Sequence, residues 1–140
     1  MTRFRLPLTL AVAALLAGAC AAKVPESAFN RNPYPAEEGP VQVFILAGQS
    51  NMEGRGSLRN LEYLIYNEET AEQYEHLKDR NGQWVRRNDV WVWTTNGERS
   101  GSLKPGFGVD EWNFGPELGF GWVVGEQLAR QVLLIKTCWG

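Results

Sequence analysis

Val41-Gln42-Val43-Phe44-Ile45-Leu46-Ala47-Gly48-Gln49-Ser50-Asn51-Met52 is the stretch on which the reading of this chain turns. Residues 41–47 are a short apolar run, rich in β-branched side chains and entered from a Pro/Gly stretch, and they read as a buried strand. Gly48 frees the backbone to turn sharply, which leaves Ser50 at the strand's carboxyl end. In open α/β sheets that edge is where ligands and reacting groups sit. Two roles are open to the serine. It can be a nucleophile, with nearby backbone N–H groups to hold an oxyanion. It can also be a turn residue that caps the following helix.

Working outward, residues 53–60 are polar, contain Gly54 and Gly56, and read as loop or a frayed turn. Leu61 to Lys78 carries apolar residues at a roughly helical period, with Asn67 placed to cap its second half. Asp79-Arg80-Asn81-Gly82 is a turn signal. Trp84-Val85 and Asp89 to Trp93 read as a strand pair or one bent strand, and the Gly-rich residues 95–113 as a long loop. A loop of that length inside a compact domain is usually functional. Pro116 suits the first position of a helix carrying Leu118, Trp122, Val124 and Leu128, and Gln131 to Thr137 is the next buried strand. Strand, helix and strand in this order predict an α/β domain with a parallel sheet and helices on both faces.

Composition bounds the partners. The chain has 14 basic and 16 acidic residues, and the basic ones are scattered, which is no footprint for nucleic acid. The N-terminus pairs Arg3 and Arg5 with an apolar stretch from Leu6 to Leu16 and the small residues Ala17-Gly18-Ala19. Residues 1–21 therefore read as an export signal, too short to span a bilayer comfortably. Ala17-Gly18-Ala19-Cys20 also fits a lipoprotein cleavage site, so a lipid anchor on Cys20 and plain secretion to the periplasm or medium both stand. Removal of Arg3 and Arg5 leaves 12 basic against 16 acidic residues. Residues 22–40 hold Pro25, Pro33, Pro35 and Pro40 and read as a linker. With Cys20 lipidated or removed, Cys138 is the lone thiol, a small buried hydrophobe at a strand end. No His or Cys pair has metal-ligand spacing, and no cofactor is expected. Six Trp are a high aromatic load, either for a core or for stacking on sugar rings.

Gly48-Gln49-Ser50-Asn51-Met52 after a buried strand resembles the first block of the SGNH-hydrolase superfamily, and more narrowly its sialate O-acetylesterase and acetylxylan esterase branch, carbohydrate esterase family six. Phe114-Gly115-Pro116-Glu117-Leu118-Gly119-Phe120-Gly121 resembles the second block of that branch, and Leu133 to Gly140 the strand and Gly-rich turn that follow. The resemblance covers residues 41–140 and implies a flavodoxin-like three-layer αβα fold. It implies a serine esterase in which Ser50 attacks the acetyl carbonyl of an O-acetylated carbohydrate. The N–H groups of Ser50 and Gly115 would stabilise the oxyanion, and Gln49 and Asn51 would position substrate or satisfy the turn. Gly115 suits that duty because glycine admits close approach at a helix N-terminus.

The resembled family continues with further βα units and an Asp-x-x-His block that supplies its base and orienting acid. This chain stops at Trp139-Gly140, directly after an apolar strand, and reads as the N-terminal portion of such a domain, poorly folded and silent by itself. His76, the sole histidine, lies among charged residues and reads as a solvated surface group. Two other functions fit the same scaffold: carbohydrate binding without catalysis, and an SGNH lipase or thioesterase with an apolar groove beside Ser50.

Overall fold

A computed structural model describes Tyr34, residues 36–95 and residues 99–139. The segment read as an export signal, Cys20 and most of the segment read as a linker lie outside the described residues. The first strand, β1 (Glu37–Gly48), starts within the segment read as linker. Pro40 is tolerated there because β1 is an edge strand, where a missing ladder N–H costs little. A short helix α1 (Ser50–Glu53), strand β2 (Gly56–Ser57) and helix α2 (Leu58–Tyr66) follow. Residues 53–60 are thus more ordered than a loop, and Ser57 Oγ caps α2 by accepting from the Arg59 N–H.

The helical period from 61 to 78 resolves into three pieces: α2, α3 (Ala71–Tyr74) and a 3-10 turn at Glu75–Leu77. Asn67 divides them as the C-cap of α2, not as the expected cap of the second half: the N-cap of α3 is Thr70. The Asn67 Oδ1 accepts from the Glu69 N–H and its carbonyl from the Ala71 N–H, a local alternative to a continuous helix. The turn at 79–82 forms, with Asp79 Oδ1 accepting from the N–H groups of Asn81 and Gln83. Trp84 does not join the main sheet, but pairs back across an isolated bridge to Lys78. β3 (Arg87–Thr94) follows it.

The segment read as a long loop contains β4 (Ser100–Leu103), antiparallel to β3, and β5 (Asn113–Phe114), which pairs with β2. Ser-Gly-Ser-Leu has no apolar alternation of its own, and its partner strand sets its conformation. Helix α4 (Pro116–Gln127) starts at Pro116 as expected, and β6 (Arg130–Cys138) closes the described chain. The main sheet has the order β1-β6-β3-β4. β6 runs parallel to both of its neighbours, so the fold is α/β, with a mixed sheet in place of the expected all-parallel one.

Register decides what the sheet buries. Gln42, Val132 and Val90 lie in one row, and Phe44, Leu134 and Val92 in another. Val90, Val92, Val132 and Leu134 are fully buried and join Leu61 of α2 and Leu118 and Trp122 of α4 in a single core. The alternate rows, Val43-Leu133-Trp91 and Ile45-Ile135-Trp93, point the other way, as period-two alternation demands. Val43, Ile45, Trp91 and Trp93 are exposed, Ile45 at 68%. The strand at 41–47 is therefore half-buried on one face, at Phe44 and Leu46, and exposed on the other. Among the described residues the helical core side chains gather on that one face.

Candidate active site

The turn after β1 shows why glycine stands at 48. A Cβ there would lie 2.7 Å from the Met52 Cβ, so a side chain would block the fold-back of α1 onto its strand. Gly48 pairs with Cys138 of β6, and its carbonyl accepts from the Trp139 N–H. Gln49, not Ser50, is the N-cap of α1, and no side chain caps this helix. The capping alternative for Ser50 therefore does not hold. Ser50 is the first residue of α1 and is exposed, at the carboxyl end of β1. First-turn amides of a helix have no intrahelical acceptor, so the Ser50 N–H is available to a ligand there. Gln49 and Asn51 are exposed beside it, and neither side chain bonds the turn backbone among the described residues.

Beneath this turn lies a buried ion pair that sequence reading did not pick out. Lys136 Nζ contacts Glu117 Oε2 at 2.8 Å, with side chains 1% and 0% exposed. Lys136 also donates to the Glu53 carbonyl at 2.8 Å and the Phe107 carbonyl at 2.6 Å. An ammonium has three N–H donors, and all three are used. One side chain thus ties the end of the helix that begins at Ser50 to the 107 loop and to the start of α4. Lys136 shares a sheet row with Leu46 and Thr94, at the carboxyl ends of the strands. A lysine inside Leu133-Leu134-Ile135-Lys136 was the available signal, because a buried strand admits a charge only with a partner.

Gly115 stands where it was expected, as the N-cap of α4, but its N–H is taken. It donates to Glu117 Oε1 at 2.8 Å. One N–H cannot serve that carboxylate and an incoming oxyanion with full strength at once. The oxyanion role expected of Gly115 is therefore at odds with this arrangement, and the Ser50 N–H is the expected donor that stays open. The need for glycine at 115 is steric. A Cβ there would lie 2.6 Å from Glu117 Oε2, 3.0 Å from Gly54 Cα and 3.1 Å from Lys136 Nζ. Gly115→Ala should cost about 1–3 kcal/mol by overpacking the ion pair, read as a lowered urea midpoint. A midpoint equal to wild type would show that the pair yields freely.

Gly54 is the matching piece and was also missed. Its φ of 86° favours glycine, and a Cβ would meet Gly115 Cα at 2.3 Å. Its N–H donates to the Ser50 carbonyl, and its own carbonyl accepts from the Val109 N–H. The two glycines let the end of α1 and the start of α4 touch backbone to backbone.

No imidazole serves Ser50. His76 is exposed and stacks edge-on against Trp122, with ring centroids 4.6 Å apart. It lines a groove of about 460 Å3 with Leu61, Tyr74, Leu118, Trp122 and Glu126, and Ser50 is not part of that groove. Cys138 is half-buried, less enclosed than expected. Among the described residues no group of three or more His, Cys, Asp or Glu side chains is placed to hold a metal. In the 106–113 loop, hydrogen bonds from the Asn113 side chain and the Trp112 N–H hold the Asp110 carboxyl below the ordinary carboxylate range.

The family model for carbohydrate esterases described as sialic acid-specific acetylesterases matches residues 40–140. No curated protein and no solved structure matches. An exposed serine on a strand-to-helix turn, in a match over most of the chain, settles the family: this chain belongs to the sialic acid-specific acetylesterase family of carbohydrate esterases.

Proposed function

We propose that the chain carries the nucleophile of an exported serine esterase that removes O-acetyl groups from carbohydrate, sialic acid among the candidate sugars. The observation that supports this most is the placement of Ser50, exposed at the carboxyl end of β1 and first in α1. In this reading Ser50 Oγ attacks the acetyl carbonyl and the charge that develops on its oxygen meets the Ser50 N–H. The tetrahedral species collapses with loss of the sugar hydroxyl. Water then releases acetate and restores the serine. A serine hydroxyl is a weak nucleophile without a base. His76 stacks on Trp122, so the reading draws its base from an Asp-x-x-His block of the kind the family carries.

A second reading is carbohydrate binding without turnover. The absence of a base beside Ser50 among the described residues favours it, as do the exposed Trp91, Trp93 and Trp112. A lipid esterase is favoured less: the groove against His76 is remote from Ser50, and the one beside the Ser50 turn, about 430 Å3 between Ala47, Gly48, Cys138 and Trp139, is lined in part by Thr95 and Thr137. The deciding assay is acetate release from O-acetylated sialic acid and acetylated xylan, with and without an added polypeptide carrying the Asp-x-x-His block. Binding of either carbohydrate with no acetate release in any combination would select the second reading.

A further inference from the structure

Next to α1, at the carboxyl ends of β3 and β6, lies a cavity of about 60 Å3 lined by Glu53, Thr94, Thr95, Arg99, Lys136 and Cys138, among others. A single water needs roughly 10–15 Å3, so the space admits a small polar group. Two cations line it, and they differ in what they have left to give. All three N–H donors of Lys136 are spent, and Glu117 neutralises its charge. Arg99 gives Nη2 to the carbonyls of Gly108 at 2.6 Å and Val109 at 3.1 Å, but its Nε is buried and makes no hydrogen bond.

Among the described residues no carboxylate lies within ion-pair distance of Arg99. Asp110 is near enough to feel its charge, but Asp110 Oδ1 is engaged by the Trp112 N–H and the Asn113 amide. Glu53, which lines the cavity, is paired with Arg55 at 3.4 Å. A buried donor left without an acceptor calls for an explanation. A guanidinium with an open donor, and with no ion pair among the described residues, suits a planar anion.

We propose that this cavity is a carboxylate subsite with Arg99 as its receptor. What the carboxylate belongs to rests on the esterase reading of Ser50. Ser50 and Glu53 stand at the two ends of α1, about 4.5 Å apart along its axis, so a group held in the cavity is a neighbour of the nucleophile. Two carboxylates arise in that reaction: the acid group of a sialic acid-type sugar, and the acetate released. A neutral O-acetylated sugar offers Arg99 no charge. The subsite would therefore separate acidic from neutral acetylated carbohydrates.

The test is a titration of the 15N-labelled chain at constant ionic strength, following the Arg99 Nε–Hε resonance. The probes are N-acetylneuraminate, its methyl ester, N-acetylglucosamine and sodium acetate. N-acetylneuraminate should move the resonance saturably, its methyl ester should bind at least tenfold more weakly, and N-acetylglucosamine should leave it in place. A shift with both N-acetylneuraminate and acetate supports a subsite for the sugar acid and the product, and a shift with acetate alone supports one for the product only. The backbone amides of Thr94, Thr95 and Cys138, which line the same cavity, should shift with N-acetylneuraminate in the wild-type chain and stay in place in Arg99→Gln, a variant checked for native unfolding behaviour. No saturable shift with either carboxylate, or equal shifts with acid and methyl ester, would overturn the proposal in the wild-type chain, whatever the variant does. The readout needs no turnover. Carboxylate binding without Ser50-dependent hydrolysis would sink the esterase reading alone, and hydrolysis with no carboxylate response would sink the subsite alone.

Discussion

In any preparation of this protein that hydrolyses an aryl acetate, Ser50→Ala should lower turnover on the order of a millionfold. Ser50 is exposed, first in α1, and its side chain makes no hydrogen bond among the described residues. Removing Oγ therefore breaks no structural contact, and the unfolding midpoint should stay within experimental error of wild type. Both readings are needed, because lost activity with lost stability would say nothing about chemistry. Alanine-variant turnover within tenfold of wild type would eliminate Ser50 as the nucleophile. The protein without a base beside Ser50 should show no Ser50-dependent turnover.

Lys136→Met should be the most damaging single change to the fold. It would leave the Glu117 carboxylate buried with only the Gly115 N–H to hold it, and strip the Glu53 and Phe107 carbonyls of their donor. Breaking a buried pair by removing one partner costs about 3–5 kcal/mol, a large part of the roughly 5–15 kcal/mol that holds a domain folded. The double variant Lys136→Met/Glu117→Gln should recover part of the loss, because it removes the uncompensated buried charge, while the Glu53 and Phe107 carbonyls stay without the lysine. Urea unfolding of the three proteins checks this. A single variant within 1 kcal/mol of wild type, or a double variant no better than the single, would show that the pair is not what secures this junction.

What was legible in the sequence follows from how local each signal is. The strand at 41–47, the start of α4 at Pro116 and the strand at 131–137 each carry their signal within a few residues, and all three are present. The Asp79–Gly82 turn was legible for the same reason, whereas Asn67 marks the end of α2 and not the start of the next helix. β4 was not, because Ser100-Gly101-Ser102 has no period and takes its conformation from β3. The exposed face of β1 was hidden for another reason. Val43 and Ile45 are as apolar as Phe44 and Leu46, so nothing in the run tells the covered face from the open one. At the site, Ser50 and Gly115 were found through their motifs. The engagement of the Gly115 N–H was not, because it depends on where the Glu117 side chain settles against a lysine 19 positions away.

The strand that leads into the Ser50 turn pairs, among the described residues, only with β6 in the main sheet, and their register joins residues 90 positions apart, Val43 with Leu133 and Ala47 with Thr137. By contrast β3 and β4 meet within a few residues of one another. Closing a long loop carries a larger entropic cost than closing a short one, and distant pairings slow folding. A ribosome would therefore release β1 long before its partner exists, and β1 must wait with its apolar side chains and its ladder groups unmatched. The β3–β4 hairpin and the α2–α4 core can assemble meanwhile. The Ser50 turn is thus completed late, when β6 slides in between β1 and β3.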